Sequence, residues 1–216
     1  MREFEQHLDF YENYWWAGFS KIVPEPQWGN KKIAEDYFDK YWLPQMEYET
    51  IWKPIQDKIF VNQEKSLPEP VFSEHFSLLA LRGGCLFLEE DFKQLQQCLL
   101  AIGEKNFVVI ENTFNGKLQE PAFRMKFPSD ITWDEMISGN YISAILLEMY
   151  HNEYYVFGES RNWGKYSASD YTWPLDLIGF KPEYSTLFEE KFKQAEEEKQ
   201  KIKEWLPLAY QKRIKN

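Results

Sequence analysis

Apolar residues at helical and at alternating spacing divide this chain into segments of different character. Phe4, Leu8, Tyr11, Trp15 and Phe19 recur every three or four positions, which places them on one helical stripe. VPEPQWGN, residues 23–30, ends that stripe, and Asn30 is a candidate cap for a second helix carrying Ile33, Phe38, Tyr41 and Trp42 up to Pro44. A third helical segment holds Ile51, Trp52, Ile55 and Ile59, with Pro54 expected to interrupt or kink it. The polar, proline-bearing stretch 61–70 reads as a linker.

Beyond it the period changes. FSLLALRGG, residues 76–84, reads as a buried strand running into a turn. A helix follows with Phe92, Leu95, Leu99 and Ile102 on one face, an acidic first turn (Glu89, Glu90, Asp91) and Gly103 at its C-terminal cap. NFVVIENTF is the next strand, so strand, helix and strand suggest one crossover unit. Asn115-Gly116 predicts a two-residue hairpin turn joining residues 107–114 to 117–127. Thr132 and Glu135 form a capping box, with Ile131 and Met136 as its hydrophobic staple, for a short helix ending at Gly139. YISAILLEMY and EYYVFG read as strands around His151-Asn152, and NWGKYSAS as a third. Phe188, Phe192, Ala195, Ile202 and Trp205 predict a long helix from Thr186. The expected fold class is α+β. It comprises a helical N-terminal part over residues 1–60, a mixed, mainly antiparallel sheet with flanking helices over 71–180, and a long C-terminal helix over 183–216 on the same unit.

Composition sharpens the picture in two respects. The 216 residues include 9 Trp, 13 Tyr and 17 Phe, enough to build a core from large rings and still supply a recognition face. The formal charge is −10. From Lys181 onward nine Lys or Arg face seven Glu, which leaves −12 on residues 1–180. That sign argues against nucleic acid and against an anionic membrane surface, and it suits a basic protein partner. No apolar run reaches the ~20 residues a bilayer span needs, and MREFEQHLDF lacks a signal-peptide pattern. Cys85 and Cys98 are expected to be reduced and unpaired, which points to the cytoplasm.

Candidate chemistry is sparse. His7, His75 and His151 stand in no ligand spacing and neither cysteine has a CxxC partner, so no metal and no cofactor is expected. His75 with a remote Cys85 has no supporting nucleophile motif, and Arg82-Gly83-Gly84 lacks the spacing of a phosphate loop. The densest stretch is EYYVFGESRNWGKYSASDYTWPLDLIGF, residues 153–180. Its glycines and short polar residues suit a tight hairpin whose exposed tip would present Glu159, Arg161 and Trp163. Asp170 and Trp173 follow as further candidates for partner binding. A rival reading makes the chain a carbohydrate-active enzyme. Glu159, Asp170 and Asp176 would then supply a carboxylate pair, and Trp163 and Trp173 an aromatic platform for a sugar ring. A third reading pairs the final helix with another chain.

YYVFGESRNWGKY followed by PLDLIGF resembles phrases in small bacterial immunity proteins of polymorphic toxin systems, including the SMI1/KNR4-like superfamily. The resemblance spans residues 76–180 and rests on aromatic and glycine positions. It implies a non-catalytic α+β protein that neutralises a cognate toxin through an acidic face, and it carries over no catalytic residue.

Overall fold

The computed structural model describes residues 2–10, 31–61, 70–83, 86–112, 123–139, 153–170, 173–194, 196–206 and 208–214. Its centre is one six-stranded sheet made of β1 (Ser77–Arg82), β2 (Asn106–Glu111), β3 (Arg124–Pro128), β4 (Tyr154–Gly158), β5 (Trp163–Asp170) and β6 (Trp173–Phe180). The strand order is β1-β6-β5-β4-β2-β3, and among the described residues all five neighbouring pairs are antiparallel, where a mixed sheet was expected. Four antiparallel steps separate β1 from β2, which therefore run in the same direction. The helix between them, α5 (Glu89–Ala101), is the expected crossover, and it spans the three strands that the chain supplies later.

Apolar clusters cover both faces of the sheet. On one face Phe107, Val109, Tyr154, Val156, Trp163 and Ile178 meet α1 (Glu5–Phe10), α2 (Lys31–Tyr41), α5 and α7 (Ser185–Lys191). On the other, Val108, Ile110, Tyr155, Phe157, Tyr166 and Leu177 meet α4 (Lys53–Ile59), α8 (Glu196–Trp205) and α9 (Leu208–Gln211). Alternation along β4 accounts for this, since Tyr154 and Val156 point one way and Tyr155 and Phe157 the other.

Between α2 and α4 the chain passes from the first face to the second around the β3 edge. There Trp42 bridges Met125, and the Leu43 N–H donates to the Arg124 carbonyl at 3.1 Å. It then continues through α3 (Gln45–Glu47) and a π-turn, Tyr48–Trp52. The π-turn lies immediately before Pro54, and Lys53 N–H reaches back five residues to the Tyr48 carbonyl. The wider turn absorbs the proline that an unbroken α-helix would exclude, so the helical run continues through Pro54.

The single long C-terminal helix is corrected to three short ones. Phe188 and Phe192 belong to the first face, whereas Ile202, Leu206 and Tyr210 belong to the second. The chain must round the β1 edge between them, and the helix gives way after Lys191, where Phe192 has ψ 57°. Pro207 disfavours helix at Leu206, ending α8. Near the end, Ile214 makes a parallel bridge to Leu78 on the β1 edge.

The β2–β3 hairpin forms, with Phe107 opposite Phe127 and Val109 opposite Met125. A two-residue turn at Asn115-Gly116 would instead set Phe107 opposite Arg124, an odd shift that would put Arg124 into the aromatic face. Asn115 and Gly116 themselves lie outside the described residues, as do Tyr11, Trp15, Phe19, Asn30, Cys85, residues 141–150 expected to form a strand, and most of the expected linker. The short helix α6 (Trp133–Met136) is capped as expected, the Glu135 N–H donating to Thr132 Oγ1 at 3.1 Å. The Glu135 carboxylate does not complete the box. It accepts from Lys40 and Tyr41 on α2.

Candidate functional site

The β4–β5 tip is built from beneath by one carboxylate. Helix α5 ends in a left-handed glycine, Gly103 (φ 74°), with Gly103 N–H donating to Leu100 O and Glu104 N–H to Leu99 O. This is a Schellman cap, and it delivers Glu104 under the hairpin. Glu104 is buried and accepts from the Ser160 N–H at 3.1 Å, from the Ser160 hydroxyl, and from the Trp163 indole N–H at 2.8 Å. A side chain at Gly158 would collide with that carboxylate, its Cβ falling 2.1 Å from Oε2. Ser160 Oγ in turn accepts from Asn162 N–H, whose carbonyl accepts from Lys181 N–H.

On this base the tip presents two exposed side chains. Glu159 accepts from Asn106 at 2.9 Å, and among the described residues no hydrogen bond or ion pair holds the Arg161 guanidinium. Arg161 is also the one non-glycine among the described residues with positive φ (62°). That conformation costs an L-residue about 1–2 kcal/mol.

The other predicted residues are distributed differently. Trp163 is 0% exposed and lies in the first-face core, which corrects its expected place at the exposed tip. A large ring pinned by its N–H to a buried carboxylate is more stable inside than out. Asp170 and Trp173 are register partners at the far end of β5, eight residues and about 25 Å from the tip. Their side chains lie outside the described residues. Glu159 and Asp170 therefore stand at opposite ends of the sheet and cannot form one carboxylate pair.

Asp176 is engaged elsewhere. It is buried and pairs with Lys165 at 2.7 Å, and the Ser167 hydroxyl donates to it. The Lys165 ammonium also donates to the Leu86 carbonyl and lies 5.0 Å from the Phe87 ring centre, binding the loop before α5 to the sheet. Burial pushes the Asp176 carboxyl up, against the opposing pull of Lys165 and Ser167. Burial likewise raises Asp91, half-buried near Lys165. On the opposite face Glu153 accepts from Tyr166 and from Asn112, the latter at 3.2 Å.

The residues that shape the site but escaped the sequence reading are Glu104 and Lys165. A signal for Lys165 was present. It shares a strand face with Trp163 and Ser167, while Asp176 shares one with Ile178 and Phe180 on the paired strand. Lone opposite charges on adjacent apolar faces are expected to pair. Nothing in the spacing marks Glu104, apart from a buried indole that needs an acceptor.

Cys98 is buried and burial pushes its thiol up to about 12, which makes it a poor nucleophile. Among the described residues no group of three or more His, Cys, Asp or Glu is placed to hold a metal ion, and no helix is long and apolar enough to cross a membrane. The two exposed charges of the tip itself have opposite signs, Glu159 and Arg161. The acidic excess therefore lies elsewhere on the body. Comparison with models of protein families, with curated proteins and with solved structures finds no match to this chain.

Proposed function

We propose that this is a cytoplasmic binding protein that neutralises a basic partner protein, in the manner of the toxin-immunity proteins its sequence resembles, and that the β4–β5 tip makes the contact. One observation carries the reading. The tip is held from below by a buried carboxylate yet directs Glu159 and Arg161 outward, so little order remains to be gained on docking. The charge of −12 on residues 1–180 supports a basic partner, because long-range attraction speeds encounter even when the contact itself is mixed in sign. The carbohydrate-enzyme reading loses its parts in this fold. Asp176 is spent on Lys165, Trp163 is buried, and Glu159 and Asp170 are at opposite ends.

The test is a calorimetric titration of the chain with the product of the reading frame adjacent to its gene. Saturable binding is expected, weakened about tenfold or more by joint Glu159→Ala and Arg161→Ala. Each single variant should keep its folding free energy within about 0.5 kcal/mol, as surface changes do. No binding by the folded wild-type chain overturns the proposal. An unfolded Glu159→Ala would show that the tip is a structural network instead.

A further inference from the structure

We infer that Arg161 is the recognition residue of the tip, and that its guanidinium binds a carboxylate on the partner protein's surface. The inference rests on the proposed function only in taking the tip as the contact. Its ground is a conflict between the residue and its backbone. At φ 62° glycine would be at ease and arginine is strained. The one backbone bond made there, Arg161 N–H to Gly158 O at 3.4 Å, is equally available to glycine.

The side chain returns nothing to the fold, since it is exposed and no described residue holds its guanidinium. Glutamate below, glycine at 158 and the serine turn all agree with the local structure. Arg161 alone violates it. Strain kept at an exposed position, with no compensating contact inside the molecule, marks a residue retained for what it binds.

The chemistry favours a discrete carboxylate. Guanidinium presents a planar fork of donors that matches a carboxylate with two parallel hydrogen bonds. Glu159 lies two residues away on the same turn, and the whole chain carries −10. Those charges repel a polyphosphate chain, whereas one carboxylate at the rim of a basic protein can be accommodated.

The test compares wild type with Arg161→Gly. The melting temperature of the variant should rise by about 2–4 °C, the shift expected when strain of this size is relieved in a chain of this length. In the wild-type chain, the Arg161 Nε–Hε resonance should shift saturably on titration with a tetraglutamate peptide. Exposed Arg82 serves as the internal control and should shift weakly and linearly. Against the product of the adjacent reading frame, Arg161→Gly should lose about tenfold or more in affinity, and Arg161→Lys should recover part of that loss at an unchanged melting temperature.

A melting temperature that stays level or falls in Arg161→Gly overturns the inference, as does an Arg161 resonance no more responsive than that of Arg82. Full-strength binding by Arg161→Gly overturns it too, while leaving the proposed function in place. If the wild-type chain does not bind that product, the proposed function falls, and the peptide titration and melting temperature still decide the role of Arg161.

Discussion

Lys165→Met lowers the unfolding free energy by about 3–5 kcal/mol, because it strands the Asp176 carboxylate in the core without its counter-charge. The Leu86 carbonyl loses its donor in the same step, so the loop leading into α5 loosens. Lys165→Met combined with Asp176→Leu should recover most of the loss, since removing both charges abolishes the desolvation cost as well as the attraction. The deficit of the single variant also depends on pH. Burial already raises the Asp176 carboxyl, and without Lys165 nothing but Ser167 opposes that rise. A carboxyl raised in the folded state binds its proton more tightly there than in the unfolded chain. Stability is therefore greatest below the ordinary carboxylate range and falls as pH climbs toward the folded value. Relative to wild type, the variant should lose less at about pH 4 than at about pH 8. Urea denaturation at the two pH values checks this, and a deficit that is the same at both would show that Asp176 is not the stranded group.

Phe157→Ala is expected to cost about 3–5 kcal/mol, the usual price of emptying a fully buried aromatic site. Phe157 packs edge-on against Trp52 at 6.1 Å and Phe60 at 5.9 Å, and through them it joins the sheet to the π-turn and α4. Equilibrium denaturation measures the loss. A value below about 1.5 kcal/mol would mean that these rings collapse into the space, and that this face is more plastic than its packing indicates.

Local chemistry made much of the fold legible. The Gly103 cap, the Thr132 cap, the alternation along β4 and the crossover from β1 to β2 all depend on residues near one another in sequence, and all are present. The C-terminal helix failed for a different reason. Helical spacing identifies an apolar stripe but not the face of the sheet that will cover it, and Phe188 and Ile202 look alike until the sheet separates them. The site was half legible. Glu159 and Arg161 could be placed at a turn from the Gly158 and Gly164 spacing, but Trp163 could not be assigned inside without knowing that Glu104 waits beneath it. Asp170 and Trp173 are close to the tip in sequence, yet the extended backbone of β5 carries them to the other end of the sheet.

The passage of the chain around both sheet edges has a consequence for synthesis. The helices within residues 2–59 leave the ribosome before any strand does, and the strands at the middle of the sheet, β6, β5 and β4, are made last. At about 5–20 residues per second, some 6–24 s separate the emergence of Phe60 from that of Phe180. Throughout that interval Phe38, Trp52 and Phe60 have no sheet to cover, and β1 and β2 have no strands between them. A chain released after residue 150 should therefore bind a hydrophobic dye strongly and melt without a cooperative transition; a sharp transition would show that the early helices fold on their own. The β4–β5 tip at residues 158–163 emerges near the end of this wait. The Glu104 carboxylate and the turn it holds are thus joined only when the sheet is almost ready to close.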